Sequence, residues 1–253
     1  MASIKDQAVC IRRQEYSESS QIVTLFGRAQ GKIRAIAKGS RRAKGKFEGG
    51  IELLSVGDVI FIPARETSSM STLSEFEVTR TFPGLRKHLP GLHCAQYAAS
   101  LVSEFTEDSD PHENLFELIC AALSDFERGE KPEAVLLLFE WGLFKEIGLA
   151  PRVDRCCGCG GPLEHRGQLY FSSEAGGMIC RDCEPARVEK RLVPVRVLEL
   201  LQQPQQISQK SRKEVLETHE LLSYHQRQIT GRESTIMRFV NQLLKKEIAT
   251  HPS

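Results

Sequence analysis

Four of the eight cysteines form two closely spaced pairs, Cys156-x2-Cys159 and Cys180-x2-Cys183, with twenty residues between the pairs. Two thiolates three positions apart on a tight turn bind one side of a metal ion. A second such pair completes a tetrahedron at Zn–S distances of about 2.3 Å. The spacing is typical of zinc sites, so the sequence predicts one structural zinc ion held by these four residues.

The ligand set has two alternatives, Cys157 in place of Cys156 and His165 as a substitute ligand. Disulfides are disfavoured in a reducing cytosol, and a redox role is disfavoured because neither pair follows a strand and opens a helix. Four protein ligands leave no open position, so the predicted ion stabilises the fold and does not activate water. The remaining cysteines are interpreted as core residues: Cys10, Cys94 and Cys120.

Charge is distributed unevenly along the chain, although the formal net charge is only +1. Eight Lys or Arg residues and no acid lie between Arg28 and Lys46, whereas six acids and no Lys or Arg lie between Glu104 and Glu117. This asymmetry predicts a polyanionic partner at the basic segment. The acids could supply paired carboxylates, but they are more simply a solvated region at a helix start.

The first eighty residues predict five short strands, at 7–13, 21–26, 32–38, 51–62 and 70–81, separated by turn residues. Such a set forms a small sandwich or a five-stranded barrel, and composition does not choose between them. Within the third strand, period-2 alternation sends Ile33, Ala35 and Ala37 to one face. Lys32, Arg34 and Lys38 go to the other face with Ile36. The segment 39–46 that follows is predicted to be a flexible basic loop.

Small barrels bind single strands by a positive groove and stacking aromatic residues. Aromatic residues are sparse near the basic segment, where Phe26, Phe47 and Tyr16 are the candidates. We therefore expect backbone electrostatics to dominate, with little sequence preference.

From about residue 84 the hydrophobic period changes from 2 to 3.6, which predicts helices. The first spans 91–104, and the second begins with Asp110 as N-cap, Pro111 and Glu113 in a capping-box arrangement. The third runs from Pro132 to Ile147 and is apolar on nearly every side, as in a buried bundle helix. Residues 152–190 show no strong helix pattern, and helices at 194–201, 211–228 and 234–248 complete the chain.

Several classes of protein are disfavoured. No apolar run reaches about 18 residues, and the N-terminus lacks the apolar core of a secretory signal, so a cytoplasmic protein without a membrane role is expected. The segment Gly27-x3-Gly31-Lys32-Ile33 is one residue too short for a phosphate loop and lacks its Ser or Thr. Neither an HExxH pair nor a G-x-S-x-G elbow is present. The protein is therefore expected not to be an enzyme.

The order of these parts resembles the bacterial RecO family of recombination mediators over nearly the full length. The most specific matching stretch is 31–42, with the cysteine pairs beside it. The other matching stretches are 18–26, 114–118, 148–151, 171–173 and 176–177. Arg232-Glu233-Ser234 matches more loosely, because the family often has a Lys-Ser pair there.

The resemblance implies an α+β multi-domain protein with an OB-fold barrel at 1–82, a helical bundle at 83–151 and 191–253, and a zinc-finger insertion at 152–190. It also implies binding of single- and double-stranded DNA and strand annealing. The expected partners are RecR and the single-stranded DNA-binding protein, with which such a protein helps to load RecA. The family's basic strand and loop fall on Lys32, Arg34, Lys38, Arg41 and Arg42. Charge alone extends this set to Lys44 and Lys46.

Two rival hypotheses are a zinc-ribbon scaffold that binds only proteins and a zinc-dependent nucleic-acid enzyme. The enzyme would need an open metal position. Whether the zinc module touches DNA stays open, since four arginines lie near the cysteine pairs: Arg152, Arg155, Arg166 and Arg181. The expected location of the protein is the cytoplasm, in association with the nucleoid.

Overall fold

The computed structural model describes residues 2–42, 47, 50–64, 70–163 and 168–250, the last of these with side chains up to residue 245. These residues form two compact units, 1–130 and 131–253. No helix in the described ranges is both long enough and apolar enough to span a bilayer.

A closed five-stranded barrel makes up most of the first unit. Its strands are β1 (Ile4–Glu15), β2 (Gln21–Gly27), β3 (Gly31–Ala37), β4 (Val56–Ile62) and β5 (Ser71–Arg80). They follow one another around the barrel in the order β1-β2-β3-β5-β4. All neighbours are antiparallel except β3 and β5, which pair in parallel over Ala35–Ala37 and Ser71–Leu73. This arrangement is the OB-fold, so the predicted barrel is confirmed and the sandwich is excluded.

Alternation along β3 decides which side chains fill the barrel. Ile33, Ala35 and Ala37 belong to its buried core, together with Val23 and Leu25 of the paired strand β2. The residues between them on β3 point outward, and Arg34 is exposed. The predicted division of this strand into an apolar and a basic face is confirmed.

The described part of the first unit also contains a short 3-10 helix (Pro83–Lys87) and two α-helices, α1 (Leu89–Phe105) and α2 (Glu113–Arg128). The predicted capping box at Asp110 is wrong, because α2 begins two residues later than predicted and its N-cap position is His112, which makes no side-chain cap hydrogen bond. Asp110 instead lies with its backbone against Gly31, where a Cβ would come within 2.1 Å of the Asp110 carbonyl oxygen. That packing holds residues 108–110 beside β3 in place of a helical turn.

The second unit contains four α-helices among its described residues, and their bounds are α3 (Pro132–Glu146), α4 (Val195–Gln202), α5 (Arg212–Thr230) and α6 (Thr235–Thr250). As predicted, most of α3 is buried. Helix α5 begins with a capping box, since the Ser211 hydroxyl accepts from the Glu214 backbone N–H and the Glu214 carboxylate accepts from that of Ser211. These interactions fix the start of a helix that packs against α3, α4 and α6.

The segment between α3 and α4 is built around a small sheet and the cysteine pairs. Strands β6 (Leu169–Ser172), β7 (Gly177–Ile179) and β8 (Arg191–Val193) pair in the order β7-β6-β8. The two compact units of the structure meet in sequence after residue 130. The boundaries predicted from the sequence, at 82, 151 and 190, instead follow changes of secondary structure. Those boundaries stay predictions about domain organisation.

Candidate nucleic-acid interface and metal centre

The outer surface of the barrel carries cations on β1 and β3, the two strands that flank β2. Strand register places Thr24 opposite Arg34 on one side and opposite Arg12 on the other. Arg12 and Arg34 are exposed, and neither forms an ion pair within the described ranges. Two strand spacings put their backbones about 10 Å apart. We call the open part of this surface, defined by Arg12, Arg34 and Lys38, the basic face.

Arg12 was not among the residues predicted from the sequence. It lies 22 positions before Arg34 and reaches the same row through a β-bulge between Cys10 and Arg12. The bulge shifts the register of β1 by one residue, so simple alternation from the start of the strand misplaces this side chain. The strand pairing is the information that was missing.

At the other end of the same strands, the outer surface of the barrel is covered by protein. Val9 and Phe26 are completely buried, and Lys32, which lies opposite Phe26, has only 13% of its side chain exposed. Its ammonium donates to the carbonyl oxygens of Ser103, at 3.1 Å, and Thr106. These carbonyls lie at the C-terminal end of α1, where a cation complements the helix dipole.

Acids of the 104–117 segment neutralise the first part of the basic segment. The Arg28 guanidinium lies 2.9 Å from both Glu113 and Glu117, and the hydrogen bond to Glu113 raises the pKa of Arg28. Asp108 lies 3.6 Å from the Lys32 ammonium. The two opposite charge runs of the sequence therefore meet within one unit, whereas Arg34 and Lys38 are exposed.

The first residues of the predicted loop form an ordered turn. Arg42 N–H donates to the Gly39 carbonyl at 3.1 Å, and Arg41 N–H donates to that of Ser19 at 3.1 Å. The Arg41 guanidinium lies 3.3 Å from Glu15, and both arginines are exposed. Residues 39–42 therefore form a hydrogen-bonded turn, and the flexibility of the loop stays a prediction. The remaining predicted contacts, Lys44 and Lys46, lie outside the described residues.

A different surface of the barrel is acidic. The exposed Asp58 of β4 pairs in register with the exposed Glu77 of β5, and Glu75 lies two positions away on the same strand. In the barrel order these strands lie across from β2. Among the described residues, the barrel therefore carries exposed cations beside β2 and exposed acids on β4 and β5.

The four predicted ligand cysteines come together in the second unit. The sulfur atoms of Cys156, Cys159, Cys180 and Cys183 all lie within 4.8 Å of one another, and those of Cys159 and Cys180 are 3.9 Å apart. Tetrahedral coordination at a metal–sulfur distance of about 2.3 Å requires sulfurs roughly 3.8 Å apart. The group could therefore hold one metal ion with four protein ligands.

Two backbone turns position the sulfurs. Gly160 N–H donates to the Cys156 carbonyl at 2.9 Å in the first turn, and Cys183 N–H donates to that of Cys180 at 3.2 Å in the second. Gly160 adopts a φ of +72°, which favours glycine. At Gly158 a Cβ would lie 2.7 Å from the Cys183 Cβ, so the close approach of the two turns requires glycine there.

Backbone N–H groups distinguish Cys156 from its neighbour Cys157. Burial raises the pKa of Cys156, but the N–H groups of Cys180 and Gly158, each 3.3 Å from its sulfur, outweigh burial and lower that pKa to about 6. Burial raises the pKa of Cys157, whose sulfur lies outside the group. Cys156, and not Cys157, therefore joins Cys159 in the group that could hold a metal ion, and His165 lies outside the described residues.

Fold and site together define an OB-fold protein with a basic strand face, joined to a helical unit that holds a four-cysteine cluster. The chain belongs to the recombination protein O family. Its residues 1–82 match the family model described as "Recombination protein O N terminal" and residues 86–232 match "Recombination protein O C terminal".

Similar proteins carry the name DNA repair protein RecO. The one from Anaeromyxobacter sp. (strain K) is 37% identical over 188 residues, which cover 73% of this chain and 72% of the relative. The one from Syntrophus aciditrophicus (strain SB) is 28% identical over 251 residues, which cover 96% of each chain. The likeness to this second relative extends across both units.

Proposed function

We propose that this protein is a non-enzymatic, DNA-binding recombination mediator that acts in recombinational repair. The observation that carries the proposal is the basic face, where Arg12 of β1, Arg34 of β3 and Lys38 just after β3 face solvent on an OB-fold barrel. Family membership supports the repair role. The proposed DNA contacts are Arg34, Lys38, Arg41 and Arg42, with Arg12 added from the strand register. Lys44 and Lys46 stay predictions based on charge.

The proposed mechanism is electrostatic. Phosphates that bind the basic face release condensed counterions, so the logarithm of the affinity falls as the logarithm of the salt concentration rises. Four phosphate contacts correspond to slopes of about −3 for single strands and about −4 for duplexes. Such contacts carry no sequence information, so both forms of DNA are bound with little sequence preference.

Strand annealing follows from the same surface. Two strands held on one positive surface repel each other less, so complementary bases meet more often. By analogy with the family, we infer that RecR and the single-stranded DNA-binding protein are the partners with which this chain helps to load RecA. Its place of action would be the cytoplasm, at the nucleoid.

The proposed metal is a single structural zinc ion held by Cys156, Cys159, Cys180 and Cys183. Zinc accepts four thiolates in a tetrahedron, and a closed ligand set leaves no position for a reacting water. Binding of the ion by the thiolates would stabilise the fold of a segment that has only a small apolar core of its own. This supports a role for the metal in architecture and not in catalysis.

The test is fluorescence anisotropy with labelled single-stranded DNA across a salt series. We expect the Arg41→Glu/Arg42→Glu variant to lose binding while it keeps its fold and metal content. The matched control is Arg86→Glu/Lys87→Glu, which reverses two adjacent exposed cations of the same unit beyond the far end of β5 and should bind like the wild type. Equal loss in both variants would contradict a localised site.

The same experiment addresses the second candidate, a zinc-ribbon scaffold that binds only proteins. That function predicts a folded, zinc-loaded wild type with no affinity for DNA at moderate salt. The cysteine group by itself is compatible with it, whereas the unpaired cations on the basic face favour the mediator.

A further inference from the structure

Tyr16 differs from the aromatic residues of the barrel strands in its exposure. Its side chain is 61% exposed, whereas Phe26, Phe47, Phe61 and Phe76 are at most 7% exposed and serve the core or the helix-covered surface. Among the described residues of the first unit, Tyr16 is therefore the aromatic ring that solvent reaches best.

The backbone holds Tyr16 on the side of the basic face. Its N–H donates to the Ser20 carbonyl at 3.0 Å, which continues the β1–β2 ladder one step beyond the Glu15–Gln21 pair. Ser17 and Ser20 also bond to each other through their backbones, at 3.2 and 3.4 Å. Period-2 alternation after the bulge then places Tyr16 on the same face as Arg12, in a turn that is already ordered.

Cations surround this end of the barrel. Arg41 bonds through its backbone to Ser19 of the same turn, and its guanidinium pairs with Glu15, the neighbour of Tyr16. Lys38 is exposed one position beyond β3. Arg12 lies four residues before Tyr16 on β1, about 14 Å along the strand. Alternation puts Arg12 on the same face as Tyr16, so a strand whose phosphates contact Arg12 and Lys38 would run along the face that carries the tyrosine.

We propose that Tyr16 is a base-stacking site for one unpaired nucleotide at the end of the basic face. The inference rests on the proposed DNA binding and adds a subsite to it. An aromatic ring stacks on any base, because every base offers a π-face, so the site has little sequence preference. Bases in a duplex already stack on both faces. Tyr16 therefore makes this barrel prefer single strands, although the arginines of the barrel do not discriminate between single strands and duplexes.

The experiment compares Tyr16→Ala, Tyr16→Phe and the control Val78→Ala, which truncates another half-exposed apolar residue of the barrel. Affinities for a single-stranded oligonucleotide and its duplex are measured across a salt series. We expect Tyr16→Ala to weaken single-strand binding by roughly five- to a hundredfold, with an unchanged salt slope and unchanged duplex affinity. Tyr16→Phe and Val78→Ala should bind like the wild type. A 2-aminopurine base placed in the bound strand should lose its quenching in Tyr16→Ala.

Each outcome is decisive. Equal weakening on single strand and duplex, or wild-type single-strand affinity in Tyr16→Ala, overturns the stacking site and leaves the electrostatic proposal intact. If the folded wild type binds no DNA, the proposed function fails first, and the Arg41→Glu/Arg42→Glu comparison identifies that failure separately.

Discussion

The Nζ atom of Lys32 lies 3.1 Å from the carbonyl oxygen of Ser103, near the end of helix α1. The same ammonium binds the Thr106 carbonyl and faces Asp108. One lysine of the basic strand therefore joins β3 to the C-terminus of a helix, while Arg34, two positions along, faces solvent.

Replacing Lys32 with methionine should lower stability, because the substitution leaves carbonyls at a helix end without their cationic donor. We expect a loss of about 1–3 kcal/mol in the free energy of unfolding, measured by urea denaturation. Lys38→Met removes an exposed cation near the end of the same strand and should change stability by less than about 0.5 kcal/mol.

DNA titrations of the same two variants should give the opposite ranking. Lys38→Met should make the salt slope for single strands shallower by about 0.7, whereas Lys32→Met should leave it unchanged because its ammonium is already bound to protein. A shallower slope in Lys32→Met would instead assign that lysine to the DNA, as the sequence predicted.

The cysteine group predicts which thiols retain metal. Cys183→Ser should abolish the retention of one zinc ion per chain and destabilise the segment around it, since a structural site needs all four thiolates. Cys157→Ser should keep the ion, because the Cys157 sulfur lies outside the group. Metal content after gel filtration distinguishes the two variants, and loss of zinc from Cys157→Ser would contradict the assigned ligand set.

Gly158→Ala tests the approach of the two cysteine turns. The added methyl group would lie 2.7 Å from the Cys183 Cβ and 2.8 Å from its sulfur, so the second turn must shift. We expect metal affinity to fall by about 10- to 100-fold, measured by competition with a chelator. Gly160→Asn is the control, because Asn tolerates a positive φ and no atom lies within 4 Å of a Cβ there. Equal affinities in the two variants would contradict the steric argument.

A buried histidine predicts how stability depends on pH. His219 of α5 lies 2.7 Å from Glu140 of α3 and 2.6 Å from the Asn241 side-chain oxygen of α6. Burial alone would lower the pKa of His219, but the Glu140 carboxylate and the two hydrogen bonds outweigh it and raise that pKa above its usual value. Its protonated form is thus favoured in the folded protein.

A histidine whose pKa is raised in the folded state stabilises the folded protein at pH values below its unfolded pKa, which is near 6.5. This stabilisation is lost as the pH rises through the folded-state pKa. Urea denaturation from pH 6 to 9 should therefore show a steeper loss of stability for the wild type than for His219→Asn. The pKa of His225 is lowered mainly by burial. His225 therefore lowers the stability of the folded protein as the pH falls below its unfolded pKa. Parallel curves for the wild type and His219→Asn would refute the assignment.

Local patterns predicted much of this structure because the features concerned depend on neighbours in the sequence. Alternation in β3 identified Ala35 as core and Arg34 as exposed, and the spacing of the cysteine pairs identified the four sulfurs that meet. The partners of Lys32 were not predictable in this way, since they come from a helix more than seventy residues later. Arg12 was missed because a bulge shifts its register, and Asp110 was misplaced because it packs against Gly31.

The division of the barrel surface into a basic side on β1–β3 and an acidic side on β4–β5 also has a kinetic consequence. A molecule with nearly zero net charge gains little long-range attraction to a polyanion, but a separated charge distribution exerts a torque on it during the approach. Encounters are therefore oriented before contact, with the side that carries Arg34 foremost and the side that carries Glu77 turned away. The association rate should consequently fall with ionic strength far more steeply than a formal charge of +1 implies.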